Sequence, residues 1–211
     1  MKKKYKHISF DLDGTLIDSF KYMEVAWELV NKELDLKVGF EKFKKYVGLP
    51  FPIILKNLSL SDLESEISSK YFDETKKNSN NINLIENVQE IIKWLKNKEF
   101  TISVITSKPR LNSERLMELK KIDIDELICG DDFSYGKPNP IIINNLCKKM
   151  KIKNKDFLYI GDMIFDLQFA QNAEVDFLHF SNNDKNMLPK NLINPVKTVN
   201  KLVDLKKLLI N

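Results

Sequence analysis

Asp11 and Asp13 stand one residue apart in HISFDLDGTLIDSF, directly behind an apolar run. Carboxylates that close repel one another and hold water, so a strand that had only to pack would avoid them. Further along, Thr106-Ser107-Lys108 follows FTISVI, Gly136-Lys137-Pro138 interrupts a loop, and Gly161-Asp162 follows FLYI with Asp166 four residues on. These residue types suit phosphoryl transfer. A carboxylate attacking phosphorus divides one difficult displacement into two easier ones. A second carboxylate two residues away on an extended chain lies on the same side, where it protonates the leaving oxygen and later deprotonates water. Asp11 is then the nucleophile and Asp13 the acid/base, with Gly14 allowing the chain to turn sharply behind them.

Electrostatics asks for cations at such a place. Each like-charge pair at about 4 Å costs on the order of 4 kcal/mol at an effective dielectric near 20. A hard ion that accepts carboxylates, waters and phosphate oxygens, Mg²⁺, is the natural counter-charge. Lys137 adds a second positive charge, and the Thr106 hydroxyl with nearby backbone N–H groups holds the phosphoryl oxygens. Singly, each residue has a plainer role. An Asp after a strand forms turns or caps helices, Thr106 continues a strand, and Lys137 is one surface lysine among many. Their joint occurrence behind four strands of one short chain favours the chemical reading.

Positioning them requires a sheet whose strand ends share a rim. After residue 81 the chain alternates. A helical pattern through Leu84, Val88, Ile91, Ile92 and Leu95 precedes the strand FTISVIT at 100–106, and a helix near 110–120 precedes ELICG at 126–130. Asn139 as N-cap and Pro140 at the first helical position open the next helix. FLYI at 157–160, a helix over 164–173, the strand VDFLHF at 175–180 and a helix after Asn200 complete the series. Together with a first strand at 6–10, this predicts an α/β fold, a Rossmann-like parallel sheet with helices on both faces. The stretch 19–80 differs. Phe20, Met23, Ala26, Trp27, Val30 and Leu34 fall at helical spacing, VGLPFP breaks the chain at 47–52, and Ser61-Asp62 is placed to cap another helix. The division expected is an α/β unit of 1–18 and 81–211, interrupted after its first strand by an α-helical cap of 19–80.

The segments DLDGTLIDS at 11–19, ISVITSK, GKPNP at 136–140 and GDMIFD at 161–166 closely resemble the four motifs of the haloacid dehalogenase-like hydrolase superfamily. The helical insertion resembles the C1 cap of its phosphoglycolate phosphatase and β-phosphoglucomutase branch. The resemblance implies a Mg²⁺-dependent phosphatase with an aspartyl-phosphate intermediate, acting on a small phosphorylated metabolite. It implies Asp11 as nucleophile, Asp13 as acid/base, Thr106 (or Ser107, by one step of register) as phosphate binder and Lys137 as the stabilising charge. Mg²⁺ would be held by the Asp11 carboxylate, the Asp13 backbone carbonyl and Asp162, with Asp166 acting through water. Dehalogenases lack an aspartate at the Asp13 position. The mutases carry histidine in a stretch like Tyr-His-x-x-Ala-Trp, where this chain has Met23. A phosphonate hydrolase would need a cap lysine; Lys21, Lys42, Lys44 and Lys45 are available and nothing singles one out. Mutase, pyrophosphatase and nucleotidase remain alternatives on the same scaffold, whereas a non-enzymatic regulator would be expected to have lost an acidic position. The loop bearing Gly48, Leu49 and Phe51 and the helix from Phe20 are the surfaces expected to meet the substrate.

Composition narrows the field further. The 211 residues, 43% hydrophobic and 30% charged, describe an ordinary globular chain. The net charge of +4 comes from lysine runs such as KKMKIKNK at 148–155, interleaved with acids, so a solvated face is expected rather than nucleic-acid binding. Gly136-Lys137 is no P-loop, since Asp131 occupies the first glycine position and Pro138 the Ser/Thr position. No apolar run would span a membrane, and Asp11 and Asp13 break the stretch behind the basic start too soon for a secretion signal. Cys129 and Cys147 show no metal or redox spacing, which agrees with a cytoplasmic protein. No feature specifies an oligomeric state.

Overall fold

The computed structural model describes residues 4–181 and 197–210. The first half of the chain forms β1 (His7–Phe10), β2 (Ile17–Asp18), α1 (Phe20–Glu33), α2 (Phe40–Lys44), α3 (Phe51–Asn57), α4 (Glu64–Lys77), β3 (Asn83–Leu84) and α5 (Val88–Asn97). Then come β4 (Thr101–Ile105), α6 (Arg110–Leu119), β5 (Glu126–Ile128), α7 (Ile141–Met150) and β6 (Phe157–Gly161). The chain finishes with α8 (Ile164–Asn172), β7 (Asp176–Phe180), β8 (Lys197–Val199) and α9 (Leu205–Ile210). A six-stranded sheet in the order β5-β4-β1-β6-β7-β8 is parallel throughout. Alternation along its strands decides which helices cover which face. Ile8, Phe10, Ile102, Val104, Leu158 and Ile160 pack with α5, α6 and α9. Ile105, Phe157, Tyr159 and Phe177 pack with α7 and α8 on the other side. Because every strand runs the same way, the residues after β1, β4 and β6 emerge on one rim, where open α/β sheets bind ligands.

Central β1 is buried along its whole length. One of its faces nevertheless carries His7 and Ser9. His7 Nε2 lies 2.8 Å from Ser103 Oγ, which donates to Ser9 Oγ at 2.9 Å. With the serine proton so committed, Nε2 is the protonated ring nitrogen, and Nδ1 is left buried without a partner among the described residues. Burial accordingly pushes the His7 pKa down to about 4, against a weaker pull from Asp125, and the ring is neutral at neutral pH.

Between β2 and β3 the chain builds a separate helical core. Trp27 stacks on Phe43 with ring centroids 4.2 Å apart and donates its indole N–H to the Val38 carbonyl at 2.6 Å. Phe51 stacks on Tyr71 at 4.9 Å. The chain enters and leaves this unit side by side, because Ile17-Asp18 pairs antiparallel with Leu84-Asn83.

Several local expectations are corrected. Leu84 lies in the β3 ribbon rather than in the helix that follows, since Asn87 takes a left-handed conformation (φ 68°) and α5 starts only at Val88. Ser61 and Asp62 form a short 3₁₀ turn, and α4 begins at Glu64 without a side-chain cap. Pro140 occupies the N-cap position of α7, one residue earlier than expected of it, while Asn139 Oδ1 accepts from the Ile141 N–H at 3.0 Å. β8 was not foreseen; it extends the sheet beside β7. No helix among the described residues is long and apolar enough to cross a membrane. Cys129 and Cys147 are buried free thiols.

Candidate active site

The loop behind β1 is wound tightly over the strand end. Asp11 N–H donates to the Ile160 carbonyl at 2.8 Å, and Gly14 N–H to the Ile17 carbonyl at 2.8 Å. Gly14 has φ +85°, and a Cβ there would come within 2.3 Å of Asp162 Oδ2, so backbone and carboxylate share space that only glycine leaves open. Thr15 Oγ1 donates to Asp162 Oδ1 at 3.2 Å. The first motif is thereby tied directly to the end of β6.

Asp11, Asp13, Thr106, Lys137, Asp162 and Asp166 are all buried and converge on this rim. Lys137 Nζ reaches Asp11 Oδ1 at 2.5 Å and Asp166 Oδ1 at 2.9 Å, and also donates to the Tyr159 hydroxyl at 3.1 Å. Asp166 Oδ2 accepts the Met163 N–H at 3.0 Å, which caps α8. Asp13 is held differently. Ser19 Oγ donates to its Oδ1 at 2.6 Å, and Lys108 Nζ lies 3.2 Å from its Oδ2. Thr106 Oγ1 accepts the Lys108 N–H at 3.1 Å, while Ser107 Oγ donates to the Gly48 carbonyl at 2.6 Å. Ser107 therefore clasps the helical unit to the sheet, and its neighbour Thr106 keeps its hydroxyl at the rim.

Burial dominates the electrostatics. It pushes the Asp11 pKa up to about 7, with Lys137 opposing and the Asp166 charge adding to the rise. Asp162 is also pushed well up, first by burial and then by Asp166 and Asp11. Burial works against the Lys137 ammonium too, but the Asp11 and Asp166 carboxylates outweigh it and hold the lysine charged. Asp11, Asp162 and Asp166 offer one oxygen each within 4.8 Å of one another. Three hard oxygen donors gathered on one buried rim form a set that a divalent cation such as Mg²⁺ fits.

A cavity of about 50 Å³ opens against this rim. Asp11, Asp13, Thr106, Ser107 and Lys108 line it from the sheet side, and Gly48, Leu49, Phe51 and Met23 from the helical side. Lys21, Lys42, Lys44 and Lys45 do not line it. Four contributors went unassigned in the sequence. Lys108, two residues past Thr106, stands in the strand-end segment Thr106-Ser107-Lys108 but carries no assigned role there. Ser19 and Thr15 stand inside DLDGTLIDS and Tyr159 inside the strand FLYI, with no individual role given to any of them. Only their partners reveal them.

The chain matches the family model described as haloacid dehalogenase-like hydrolase over residues 8–180. A phosphoglycolate phosphatase from Vibrio parahaemolyticus is 31% identical over 183 residues, covering 80% of each chain. A pyrophosphatase, PpaX, from Oceanobacillus iheyensis is 25% identical over 170 residues, covering 80% of this chain and 79% of that one. Among solved structures, a hydrolase from Pseudomonas syringae superposes with a TM-score of 0.87 over 97% of both chains, at 22% identity.

Proposed function

The chain belongs to the haloacid dehalogenase-like hydrolase family, and on that footing we propose that it is a Mg²⁺-dependent phosphatase that hydrolyses a small phosphate monoester through phosphorylated Asp11. The observation that carries the reading is the buried convergence of Asp11, Asp162 and Asp166 within 4.8 Å around the Lys137 ammonium. Asp11 and Asp162 would hold the ion together with the Asp13 backbone carbonyl. Asp166, both of whose oxygens already accept protein hydrogen bonds, would act at one remove through water. Bound there, Mg²⁺ supplies positive charge to the phosphoryl oxygens and neutralises the rim.

Asp11 attacks phosphorus while Asp13 gives its proton to the leaving oxygen. Asp13 then takes a proton from the water that splits the acyl phosphate, releasing inorganic phosphate and restoring both carboxyl groups. Lys137 fixes the Asp11 carboxylate and adds charge on the phosphoryl side, and the Thr106 hydroxyl holds a phosphoryl oxygen. Lys108 lies 3.2 Å from Asp13 Oδ2 and is placed to share its charge with an entering phosphate dianion. Residues 19–80 would serve as the cap that closes over 1–18 and 81–211 and excludes water. Reduced, buried thiols suit a cytoplasmic setting for this enzyme.

The relatives' names make phosphoglycolate and pyrophosphate the first substrates to consider. A mutase reading has less support. His7 and His179 are the chain's two histidines, neither lines the cavity, and Met23 does. The test is hydrolysis of p-nitrophenyl phosphate, which is expected to require Mg²⁺ and to be abolished by Asp11→Asn. Retained turnover in that variant would remove Asp11 as nucleophile.

A further inference from the structure

The cavity has two walls of different chemistry. Its sheet wall supplies all of the charged lining groups, Asp11, Asp13 and Lys108. Its helical wall supplies Met23, Phe43, Leu49, Phe51, Tyr71 and Phe72, and no side chain on that side carries a charge. Lys108 is the sole cation among the lining residues, and it is paired with Asp13. An anionic leaving group pressed against the helical wall would lose its water and gain no counter-charge, which is among the costliest states for a carboxylate or phosphate.

That wall does offer one polar atom. Tyr71 is 4% exposed, yet its hydroxyl makes no hydrogen bond among the described residues. Its ring is fixed by stacking on Phe51 and by edge contact with Trp27 and Phe72, so the unused donor is held in place at the cavity. That hydroxyl is not among the buried polar atoms left without a partner, so it faces the cavity, where it is free to donate to water or to a substrate oxygen.

Resting on the phosphatase reading above, we propose that the substrate is the phosphate monoester of a small uncharged alcohol, its carbon atoms against the aromatic wall and one oxygen accepting the Tyr71 hydroxyl proton. The P–O bond to the alcohol breaks as Asp11 bonds to phosphorus, and the alcohol leaves with the Asp13 proton. Water then delivers the phosphoryl group as inorganic phosphate. Phosphoglycolate, whose leaving group bears a carboxylate, and pyrophosphate, whose leaving group is itself a phosphate anion, are poor fits to this wall.

Matched substrates test the idea on the full chain with Mg²⁺, reading phosphate release. 2-Hydroxyethyl phosphate and phosphoglycolate differ in a CH₂OH group against a carboxylate, and n-propyl phosphate replaces the hydroxyl by methyl. The expected kcat/KM for 2-hydroxyethyl phosphate exceeds that for phosphoglycolate and for pyrophosphate by at least about tenfold, equivalent to ~1.4 kcal/mol. Tyr71→Phe is expected to shrink the preference for 2-hydroxyethyl over n-propyl phosphate about fivefold. Phe72→Arg, which puts a cation into the wall, is expected to raise phosphoglycolate relative to 2-hydroxyethyl phosphate. These are ratios within one preparation, so partial misfolding of a variant does not alter them. Phosphoglycolate or pyrophosphate turned over as well as the neutral ester by the natural chain overturns the proposal and leaves the phosphatase standing. An unchanged ratio in Tyr71→Phe removes the hydroxyl contact. Release from none of the small esters, with p-nitrophenyl phosphate still hydrolysed, overturns this inference and leaves the phosphatase standing, whereas loss of p-nitrophenyl phosphate hydrolysis as well brings down both.

Discussion

The two walls of the cavity are built under opposite constraints. On the sheet side, charged groups are buried and each is held by named partners: Lys137 between Asp11 and Asp166, and Asp13 between Ser19 and Lys108. On the helical side, aromatic and aliphatic groups bury one another, as Trp27 does on Phe43 and Phe51 on Tyr71. The first wall costs stability in order to hold charge where a reaction needs it. The second adds stability and shapes what fits. If the sheet wall carries the proposed reaction and the helical wall the proposed selectivity, variants on either wall should fail in different ways.

Lys137→Met should give the largest effect. It removes the cation shared by two buried carboxylates, and breaking a buried ion pair from one side costs about 3–5 kcal/mol. Turnover should fall on the order of 10³-fold, since Asp11 loses both its orientation and a positive charge beside the phosphoryl group. Mg²⁺ affinity should move the other way, roughly tenfold tighter, because a competing positive charge has gone. Urea unfolding, steady-state kinetics and metal titration of the one variant check all three. Weaker Mg²⁺ binding would mean that Lys137 and the ion do not share these carboxylates.

Phe43→Ala attacks the opposite wall. Phe43 is 1% exposed and packs against Trp27, Phe51 and Tyr71, so the cavity left behind should cost about 3–5 kcal/mol of stability. Mg²⁺ affinity, set by carboxylates on the sheet, should stay within about twofold, and turnover per folded molecule should fall far less than in Lys137→Met. A variant that lost metal binding along with stability would show that the walls are not separable.

The same contrast explains what the sequence disclosed. Chemistry dictates residue type and spacing at the strand ends, so Asp11, Asp13, Thr106, Lys137, Asp162 and Asp166 were legible before any coordinates, and so was the alternation that builds the parallel sheet. Residues that support them were not. Lys108 and Ser19 are defined by the partner they reach, and Tyr159 looks like any aromatic strand residue until its hydroxyl is found beside Lys137 and Asp166. The two-residue strands Ile17–Asp18 and Asn83–Leu84 are too short for periodicity to register. In the helical unit, spacing showed amphipathic helices but not which apolar residues turn from their own core towards the cavity. Met23, Tyr71 and Phe72 belong to ordinary helical patterns, and only the packing of the whole unit on the sheet selects them.

The smallest effect sharpens the comparison through pH. Burial places the Asp11 carboxyl near 7 in the folded chain, against an ordinary value of 3.8. Between those values the folded state keeps a proton that the unfolded state has released, so the metal-free protein loses stability as pH rises from about 4 to 7. Below the window both states are protonated and the cost vanishes; above it both are ionised and the folded state carries the cost in full. On the proposed reading, Mg²⁺ would bind the ionised rim and have to displace that proton at lower pH. Its stabilisation should therefore grow across the same window. At ten times its dissociation constant it should reach about 1.4 kcal/mol at pH 8, a rise in Tm of roughly 3–6 °C, and less than about 1 °C at pH 5. Asp162→Asn should abolish the pH-dependent gain, whereas Phe43→Ala should start from a lower Tm and keep it. An equal Mg²⁺ effect at both pH values would place the ion on groups other than these buried carboxylates, and the sheet wall would then owe its charge balance to Lys137 and Lys108 alone.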